Sequence, residues 1–421
     1  MIAICLAAAL CGCASPFGGG EELLASPQLT LEQQQIAQAL QHYLNEEARL
    51  KYPRQGENLA PFIFCDLDGD GAEEAVAFYT IESRGKNVQL ALLTQKEGRW
   101  AVSFDMEGDN TDLDRISLAS VFQNGATQLV VGYTSVNLSD KALAVYSCSG
   151  GELKKEYEQP YDHYETADLT GNGFMDVAAV SAGSQPGLMQ LTLLSGDENG
   201  LTAPVTTQLS TQFTSCINFL IGKNEVGEKI LVVDGYNSGD RLTTEVLKYV
   251  GGVFTRYAVI EGQAFSEAAA RNQNVLLSMD VDGDGMVEVP SALEETGSLP
   301  EGGRFCWTGW YGFKEKKAYA KYFALVDTSL NCALLLPEEW KGQVTLEKTA
   351  LDNEWRIRRT EDGAVLLYIR QLSQEDALNA VEIKKYKEVC TVGDYSILVR
   401  TTRQVSETQA AEYFQCVKLQ G

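Results

Sequence analysis

Short segments in which apolar and polar residues alternate recur along the chain between residues 58 and 326. Residues 87–93 and 99–104 form one such pair, and residues 189–194 begin another. A period of two places successive side chains on opposite faces of a strand, and turn residues between two such segments permit a hairpin. The pattern therefore predicts a mainly β chain built of antiparallel hairpins.

A helical period precedes these strands. Ile36 and Leu40, with flanking leucines, recur at a spacing that aligns them on one face of an α-helix. Thr30 followed by Gln33 has the form of a capping box, in which each side chain accepts a hydrogen bond from the other residue's backbone N–H. We predict one amphipathic helix over roughly 30–50, packed on the domain that follows it.

Three segments share the pattern D-x-[DT]-G-[DN]-G-x-x-[DE]. Oxygen-bearing side chains at positions 1, 3 and 5 converge only if the loop coils tightly, and glycine at position 6 permits that coil. The carbonyl at position 7 and the carboxylate at position 9 would complete an all-oxygen shell, which calcium prefers. The predicted calcium ligands are Asp66, Asp68, Asp70, Ala72 and Glu74 in the first loop, Asp168, Thr170, Asn172, Phe174 and Asp176 in the second, and Asp280, Asp282, Asp284, Met286 and Glu288 in the third.

These loops differ from an EF-hand, which needs a glutamate at position 12 and a helix after the loop. Position 12 is Ala77, Ala179 or Ser291, and strand-like sequence follows. We expect up to three calcium ions, bound most weakly by the second loop, because it has two carboxylates where the others have four. A structural role in fixing strand-to-strand turns is favoured; bridging to a ligand is the alternative.

The glycine at position 6 recurs with a period near fifty residues. The five turn glycines are Gly71, Gly125, Gly173, Gly227 and Gly285, separated by 54, 48, 54 and 58 residues. In the second and fourth repeats the ligand positions hold Ser120, Phe122 and Asn124, or Gly222 and Asn224, so we expect those turns to be metal-free. Such a period with about four strands in each repeat is typical of propeller blades. We predict a β-propeller of about five four-stranded blades, with calcium in blades one, three and five.

The loop-plus-strand unit resembles the FG-GAP (VCBS-type) repeat of integrin α-subunit propellers and of bacterial surface proteins. The resemblance covers residues 58–326 and implies that each calcium loop joins adjacent strands of a blade. From residue 327 to 421 the period ends, and strands with two helices predict a small α+β domain. The sequence that opens it, at 336–342, resembles PsbP/Mog1-type domains. Cys390 and Cys416 are a possible disulfide within it.

The first residues indicate export. An apolar run at 1–10 is followed by Leu10-Cys11-Gly12-Cys13, which resembles the lipobox of bacterial lipoproteins. The resemblance implies that Cys13 carries a lipid that anchors the chain to the outer face of the cell membrane. Residues 1–13 would be the signal segment, 14–28 a Gly-, Ser- and Pro-rich tether, and 29–57 the region of the helix.

The net charge and the lack of catalytic sequence motifs limit the classes of function that we expect. A net charge of −24 argues against nucleic acid as a partner. The two histidines, His42 and His163, lie beside no nucleophile motif, so we expect no enzyme. An aromatic run at 305–313 is expected to fill a core, with sugar stacking as the alternative. We predict a cell-surface binding module for a protein or glycan ligand; a carbohydrate-active or envelope-processing enzyme with the propeller as scaffold is the alternative.

Overall fold

The computed structural model describes residues 29–138, 140–184, 187–209, 213–257, 259–260, 263–264, 271, 276–293, 298–314, 317–378 and 386–419. Over these residues the chain is mainly β, as predicted, and nearly all strand pairs are antiparallel. Cys13 and the tether at 14–28 lie outside the described residues. Among the helices in the described part of the chain, none has the length and apolar character needed to cross a membrane.

The predicted N-terminal helix is present as α1 (Leu31–Leu44). Thr30 and Gln33 form the expected capping box, and Asn45 ends the helix in a left-handed conformation. The buried residues Ile36 and Leu40 pack on one face of the first sheet. The helix is shorter than the predicted 30–50 because the left-handed Asn45 breaks the helical hydrogen-bond ladder.

Four sheets follow α1 in chain order. The first consists of β1 (Arg49–Leu50), β2 (Phe62–Cys65), β3 (Glu74–Thr80), β4 (Gln89–Lys96) and β5 (Arg99–Glu107). The second consists of β6 (Asp112–Ala119), β7 (Gln128–Thr134), β8 (Lys141–Ser149) and β9 (Glu152–Pro160). The third consists of β10 (His163–Ala167), β11 (Asp176–Ala182), β12 (Met189–Leu194) and β15 (Val205–Gln208), beside the ribbon of β13 (Gly196–Asp197) and β14 (Gly200–Leu201). The fourth consists of β16 (Ser215–Lys223), β17 (Lys229–Tyr236), β18 (Leu242–Val250) and β19 (Val253–Arg256). Apart from β1, which pairs with β3 beside β2, strands of these sheets that are adjacent in sequence are hydrogen-bonded neighbours, as a hairpin-rich pattern predicts.

Two further sheets complete the described chain. The fifth contains β20 (Val259–Ile260), β21 (Gln263–Ala264), β22 (Val289–Ala292), β23 (Phe305–Lys314), β24 (Lys317–Asp327), β25 (Cys332–Leu336) and β31 (Cys416–Lys418). The sixth contains β26 (Val344–Lys348), β27 (Glu354–Arg359), β28 (Val365–Ser373), β29 (Lys387–Val392) and β30 (Tyr395–Thr401). The remaining helical segments are 3-10 turns at Glu82–Arg84 and Glu338–Trp340, residues 374–378, and α2 (Glu407–Glu412).

Neighbouring sheets pack face to face through alternate side chains of the same strands. In β7, Val131 is buried with residues of the first sheet, whereas Val130 is buried with residues of the third. Similar buried clusters join the third sheet to the fourth, the fourth to the fifth, and the fifth to the sixth. The far face of the first sheet packs on α1. Each of the first five sheets thus buries side chains on both faces, which explains the nearly continuous apolar inner strands of these sheets.

The predicted domain boundary between residues 326 and 327 falls inside one sheet. β24 pairs with β25 across that position, and β31 returns from the C-terminus to pair with β25. A disulfide joins Cys390 of β29 to Cys416 of β31, with their Cα atoms 5.7 Å apart. The C-terminal strands therefore have both covalent and hydrogen-bonded links to the fifth sheet.

Candidate metal centres

The first two predicted calcium loops each join two strands, as expected, and the third joins an isolated bridge to a strand. The first loop runs from β2 to β3, the second from β10 to β11, and the third from the bridge at Met279 to the start of β22. The five turn glycines all have left-handed φ values between 81° and 91°. Such values favour glycine, so the shared period reflects one turn geometry that recurs in metal-like and degenerate repeats alike.

Backbone N–H groups of the first loop bind its acidic side chains. Asp66 accepts hydrogen bonds from Gly69 and Gly71, at 2.7 and 3.0 Å. Asp68 Oδ1 accepts from the N–H of Asp70 at 3.2 Å, and Asp70 Oδ1 accepts from that of Ala72 at 2.7 Å. The second and third loops repeat three of these bonds. The side chain at position 1 accepts from the backbone N–H groups of positions 4 and 6, and the side chain at position 5 accepts from that of position 7. These bonds orient the carboxylates inwards within the coil.

In each of these loops the side chain at position 9 accepts a hydrogen bond from the backbone N–H of position 2. Glu74 Oε2 accepts a hydrogen bond from the backbone N–H of Leu67 at 2.9 Å. The degenerate second repeat keeps this bond with a neutral amide, because Gln128 Oε1 accepts from the N–H of Val121 at 2.7 Å. The same bond joins Asp176 to Leu169 and Glu288 to Val281. Sequence reasoning assigned position 9 to calcium alone and missed this structural role, although the glutamine three residues after Gly125 signals it.

The first loop gathers its carboxylates beside an open cleft. Carboxylate oxygens of Asp66, Asp68 and Asp70 lie within 4.8 Å of one another. The cleft has a volume of about 600 Å³ and is lined by the loop, by β4 and by the hairpin between β8 and β9. Burial raises the pKa of Glu74, and the neighbouring carboxylates raise it further. A cation at this position would relieve that repulsion.

The second loop offers a poorer donor set. Its position 3 is Thr170, whose hydroxyl lies 3.4 Å from Asp176 Oδ1 and donates to it. Asn172 Nδ2 donates to the carbonyl of Gly196 at 2.9 Å, and Lys229 Nζ donates to the carbonyl of Asp168. This loop has two carboxylates, and the Lys229 ammonium contacts the backbone of its first residue. It therefore fits a divalent cation less well than the first loop.

The third loop holds a lysine among its carboxylates. Lys321 Nζ lies 2.9 Å from Asp282 Oδ2, 2.5 Å from Asp284 Oδ2 and 2.8 Å from Glu288 Oε1. Tyr322 also donates to Asp282 Oδ2 at 2.7 Å. Burial raises the pKa of Glu288 to about 7, against the opposing effect of the Lys321 ammonium. Burial also disfavours the charged form of Lys321, but its three carboxylate partners outweigh that effect and raise its pKa.

The donor sets therefore fit calcium unequally. In the first loop, Asp68 Oδ2, Asp70 Oδ2 and Glu74 Oε1 are the oxygens left over by the backbone bonds. Carboxylate oxygens of Asp66, Asp68 and Asp70 lie close together, and calcium takes hard anionic ligands of this kind. In the third loop the equivalent oxygens bind Lys321 Nζ. Three of the predicted carboxylates lie together in each loop, Asp66, Asp68 and Asp70 in the first and Asp280, Asp282 and Glu288 in the third. The sequence pattern does not distinguish the environments of the two loops.

The aromatic run in β23 lies in the core. Trp307, Trp310, Tyr311 and Phe313 are buried, and Phe305 stacks edge-on against Trp355 of the sixth sheet. Trp307 also stacks on Phe323 in the neighbouring strand. These contacts agree with the expected core-filling role and leave no exposed aromatic platform in this strand.

No protein-family model matches the chain, and no curated protein matches it in sequence. Solved structures similar to it include Saccharomyces cerevisiae Sqt1 (11% identity, TM-score 0.29, 83% of this chain and 85% of that one) and the Dos1 propeller (10%, 0.28, 82% and 67%). Another is the rhamnogalacturonan lyase PL11 of Bacillus licheniformis (11%, 0.31, 67% and 68%). At these identities and TM-scores the similarities carry no inference about activity, ligand or site residues in this chain.

Proposed function

We propose that this chain is a calcium-stabilised binding module, anchored to the outer face of a bacterial membrane through a lipid on Cys13, that recognises a protein or glycan ligand. In this proposal the first five sheets are propeller blades of the FG-GAP type. The observation that carries the proposal is the set of three carboxylate oxygens in the first loop, beside an open cleft.

The coordination number of calcium supports a role in recognition. Calcium takes about six to eight oxygen ligands. The loop offers the side chains of Asp66, Asp68, Asp70 and Glu74 with the carbonyl of Ala72, so coordination positions remain for oxygens from outside. Because Asp68 and Asp70 line the cleft, those positions are accessible to the hydroxyls of a sugar or the carboxylate of a protein.

The character of the cleft supports binding over catalysis. Its lining adds Thr94, Gln95 and the glycines of the hairpin between β8 and β9 to the acidic residues of the loop. Among the lining residues that the structure describes, none is aromatic, so the acid-and-aromatic pocket expected of a carbohydrate-active enzyme is not found in this cleft. Small and polar residues around a cation suit recognition of a ligand at its surface.

Thermal unfolding of the full chain in calcium, in magnesium and in EDTA tests the calcium part of the proposal. We expect calcium alone to raise the Tm by several degrees, because it binds the folded loop and not the unfolded chain. A double variant, D68N with D70N, should abolish this shift: asparagine keeps the Oδ1 acceptor of the internal loop bond but replaces the outer oxygen by an amide nitrogen. D352N, at an exposed position in the turn between β26 and β27, is the control and should keep the shift.

Ligand recognition is tested by binding of the same three proteins to a glycan array and to a panel of purified extracellular proteins, with calcium or EDTA. The proposal expects binding that needs calcium and is lost in the D68N/D70N protein but kept in D352N. Binding that is equal in EDTA, or equal in the double variant, would show that the cleft and its cation do not hold the ligand.

A further inference from the structure

The third loop differs from the first in what its outer oxygens contact. In both loops one carboxylate oxygen at each of positions 3, 5 and 9, the inner oxygen, accepts a hydrogen bond from a backbone N–H of the coil. The other oxygen of each of these carboxylates is the outer oxygen. In the third loop the three outer oxygens converge on Lys321 Nζ at 2.5–2.9 Å. The corresponding oxygens of the first loop belong to Asp68, Asp70 and Glu74, all of which line the cleft. The ammonium thus lies where the metal of such a loop would lie.

Strand register explains how Lys321 reaches this position. Tyr311 pairs with Val289, the residue after position 9, and the pairing of β23 with β24 skips Lys321 between Trp310 and Tyr311. The extra residue of a bulge lies outside the ladder, so its side chain is re-aimed. Here it is aimed at the loop, with 14% of the side chain exposed.

The first sheet contains the same bulge with a different residue. Leu93 pairs with Ala75, the residue after position 9, and the pairing of β4 with β5 skips Ser103 between Leu92 and Leu93. Ser103 is therefore the counterpart of Lys321, and its hydroxyl donates to the carbonyl of Leu92 at 3.3 Å. The two repeats share loop and bulge, and differ in whether the bulge residue carries a cation.

We propose that Lys321 is the built-in cation of the third loop, so that this loop closes without calcium and the high-affinity calcium site of the chain is the first loop. The proposal refines the expectation of up to three ions, and it rests on the calcium part of the proposed function only for the first loop. It identifies the bulge residue as the feature that decides whether such a loop takes a metal.

Electrostatics favours the lysine over an exchanging metal. The ammonium makes three charge-assisted contacts, which are stronger than neutral hydrogen bonds, and it is tethered, so no binding from solution is needed. Calcium could enter only by displacing Nζ, which would leave a largely buried lysine without its three partners. An unpaired buried charge is far more costly than an exposed one.

Reciprocal exchange of the bulge residues tests the inference, with calcium counted per chain by isothermal titration calorimetry and the Tm measured in EDTA. K321M removes the ammonium and keeps the apolar stem. We expect this variant to bind one more calcium ion than the natural chain and to melt several degrees lower in EDTA, with the loss recovered in calcium.

S103K places an ammonium at the first loop and should remove one bound ion. K317M, at an exposed position of β24, is the control and should change neither quantity.

A second pair of variants tests the natural chain without altering Lys321. D70N and D284N make the same change at position 5 of the first and third loops, and each keeps the internal bond. We expect D70N to lose one ion and D284N to lose none. An unchanged ion count in K321M, or the loss of an ion in D284N, would overturn the inference. If the natural chain bound no calcium, the proposed function would lose its calcium part, whereas an ion gained by K321M would still support the inference.

Discussion

Gln128 shows how one side chain can hold this turn where the metal-ligand pattern is absent. Its Oε1 accepts hydrogen bonds from the backbone N–H groups of Val121 and Phe122, at 2.7 and 3.1 Å. The residue is fully buried. Without this acceptor the N–H of Phe122 would be unsatisfied, at a cost of about 1–3 kcal/mol, whereas the N–H of Val121 also donates to the carbonyl of Ala119 at 3.1 Å. Position 9 therefore has a backbone role that precedes any metal role, and selection for the turn alone can keep an oxygen there.

His163 gives the chain a pH dependence at the edge of the third sheet. Burial lowers its pKa below the usual value of 6.5, and the nearby Lys141 and Arg115 lower it further, while Asp114 opposes them. The folded state thus disfavours the protonated imidazole. At a pH between the folded and the unfolded pKa of His163, the unfolded chain binds more protons than the folded chain. The contribution of His163 to the free energy of unfolding is therefore fully present above about pH 6.5 and is lost as the pH falls below that value.

We expect the Tm of the natural chain to fall between pH 7 and pH 5 more steeply than that of H163Q. Thermal unfolding at half-unit pH steps, in EDTA, measures the difference. H42Q removes the other histidine, which is exposed on α1, and should leave the steeper slope intact. Superimposable pH profiles for H163Q and the natural chain would refute the assignment.

The candidate ligands were predictable residue by residue, because their spacing dictates which side chains share one coil. The identity of the cation was not predictable in the same way. Lys321 lies far along the chain from Asp282, and only the strand register and the bulge bring the two together. Local spacing reports local geometry, whereas this contact depends on the pairing of three strands.

At the scale of elements, α1 and the hairpins follow directly from the sequence pattern. The capping box at Thr30 and the alternation in β4 and β5 are local signals, and the structure contains both. The extension of the fifth sheet by β25 and β31 is not a local signal, because the partners of β31 lie about eighty residues away. The boundary predicted from repeat length, between residues 326 and 327, falls within the last residues of β24.

The disulfide between β29 and β31 links the sixth sheet to the fifth. A crosslink that closes a loop of 26 residues stabilises a chain by roughly 3 kcal/mol, mainly by restricting the unfolded state. We expect C390S and C416S each to lower the Tm, and the double variant to lower it no further than either single change. Peptide mapping without reductant should recover the Cys390–Cys416 pair. C306S, at a buried free cysteine of the fifth sheet, is the control for loss of a cysteine without loss of the crosslink.

At the scale of the whole molecule, the buried clusters connect each sheet to its neighbours in sequence. In such an arrangement stability is approximately a sum of the stabilities of the units and of the interfaces between neighbours. A ligand that binds one unit therefore protects that unit and its neighbours more than distant ones.

Hydrogen exchange should show this locality. We expect calcium to slow amide exchange in residues 66–74 and in β2 and β3, because the cation fixes the coil between them. Exchange in residues 280–288 should not change, since the Lys321 ammonium already contacts the carboxylates of that loop in place of a metal. Mass spectrometry of exchange with calcium and with EDTA measures both segments, and K321M should gain a calcium effect at 280–288. Uniform protection of all sheets by calcium would contradict the expected locality.

Contacts between sequence neighbours also impose an order of assembly. As the chain emerges from the ribosome, α1 is available before the first sheet that it covers, and each later sheet meets a surface that is already formed. Folding can then keep pace with synthesis, with little apolar surface exposed at any moment. Among the described strands, β20 must wait for β24, and β31 pairs last, with β25, which brings Cys416 to Cys390. A premature stop in translation would therefore leave the early sheets folded and the edge of the fifth sheet open to aggregation.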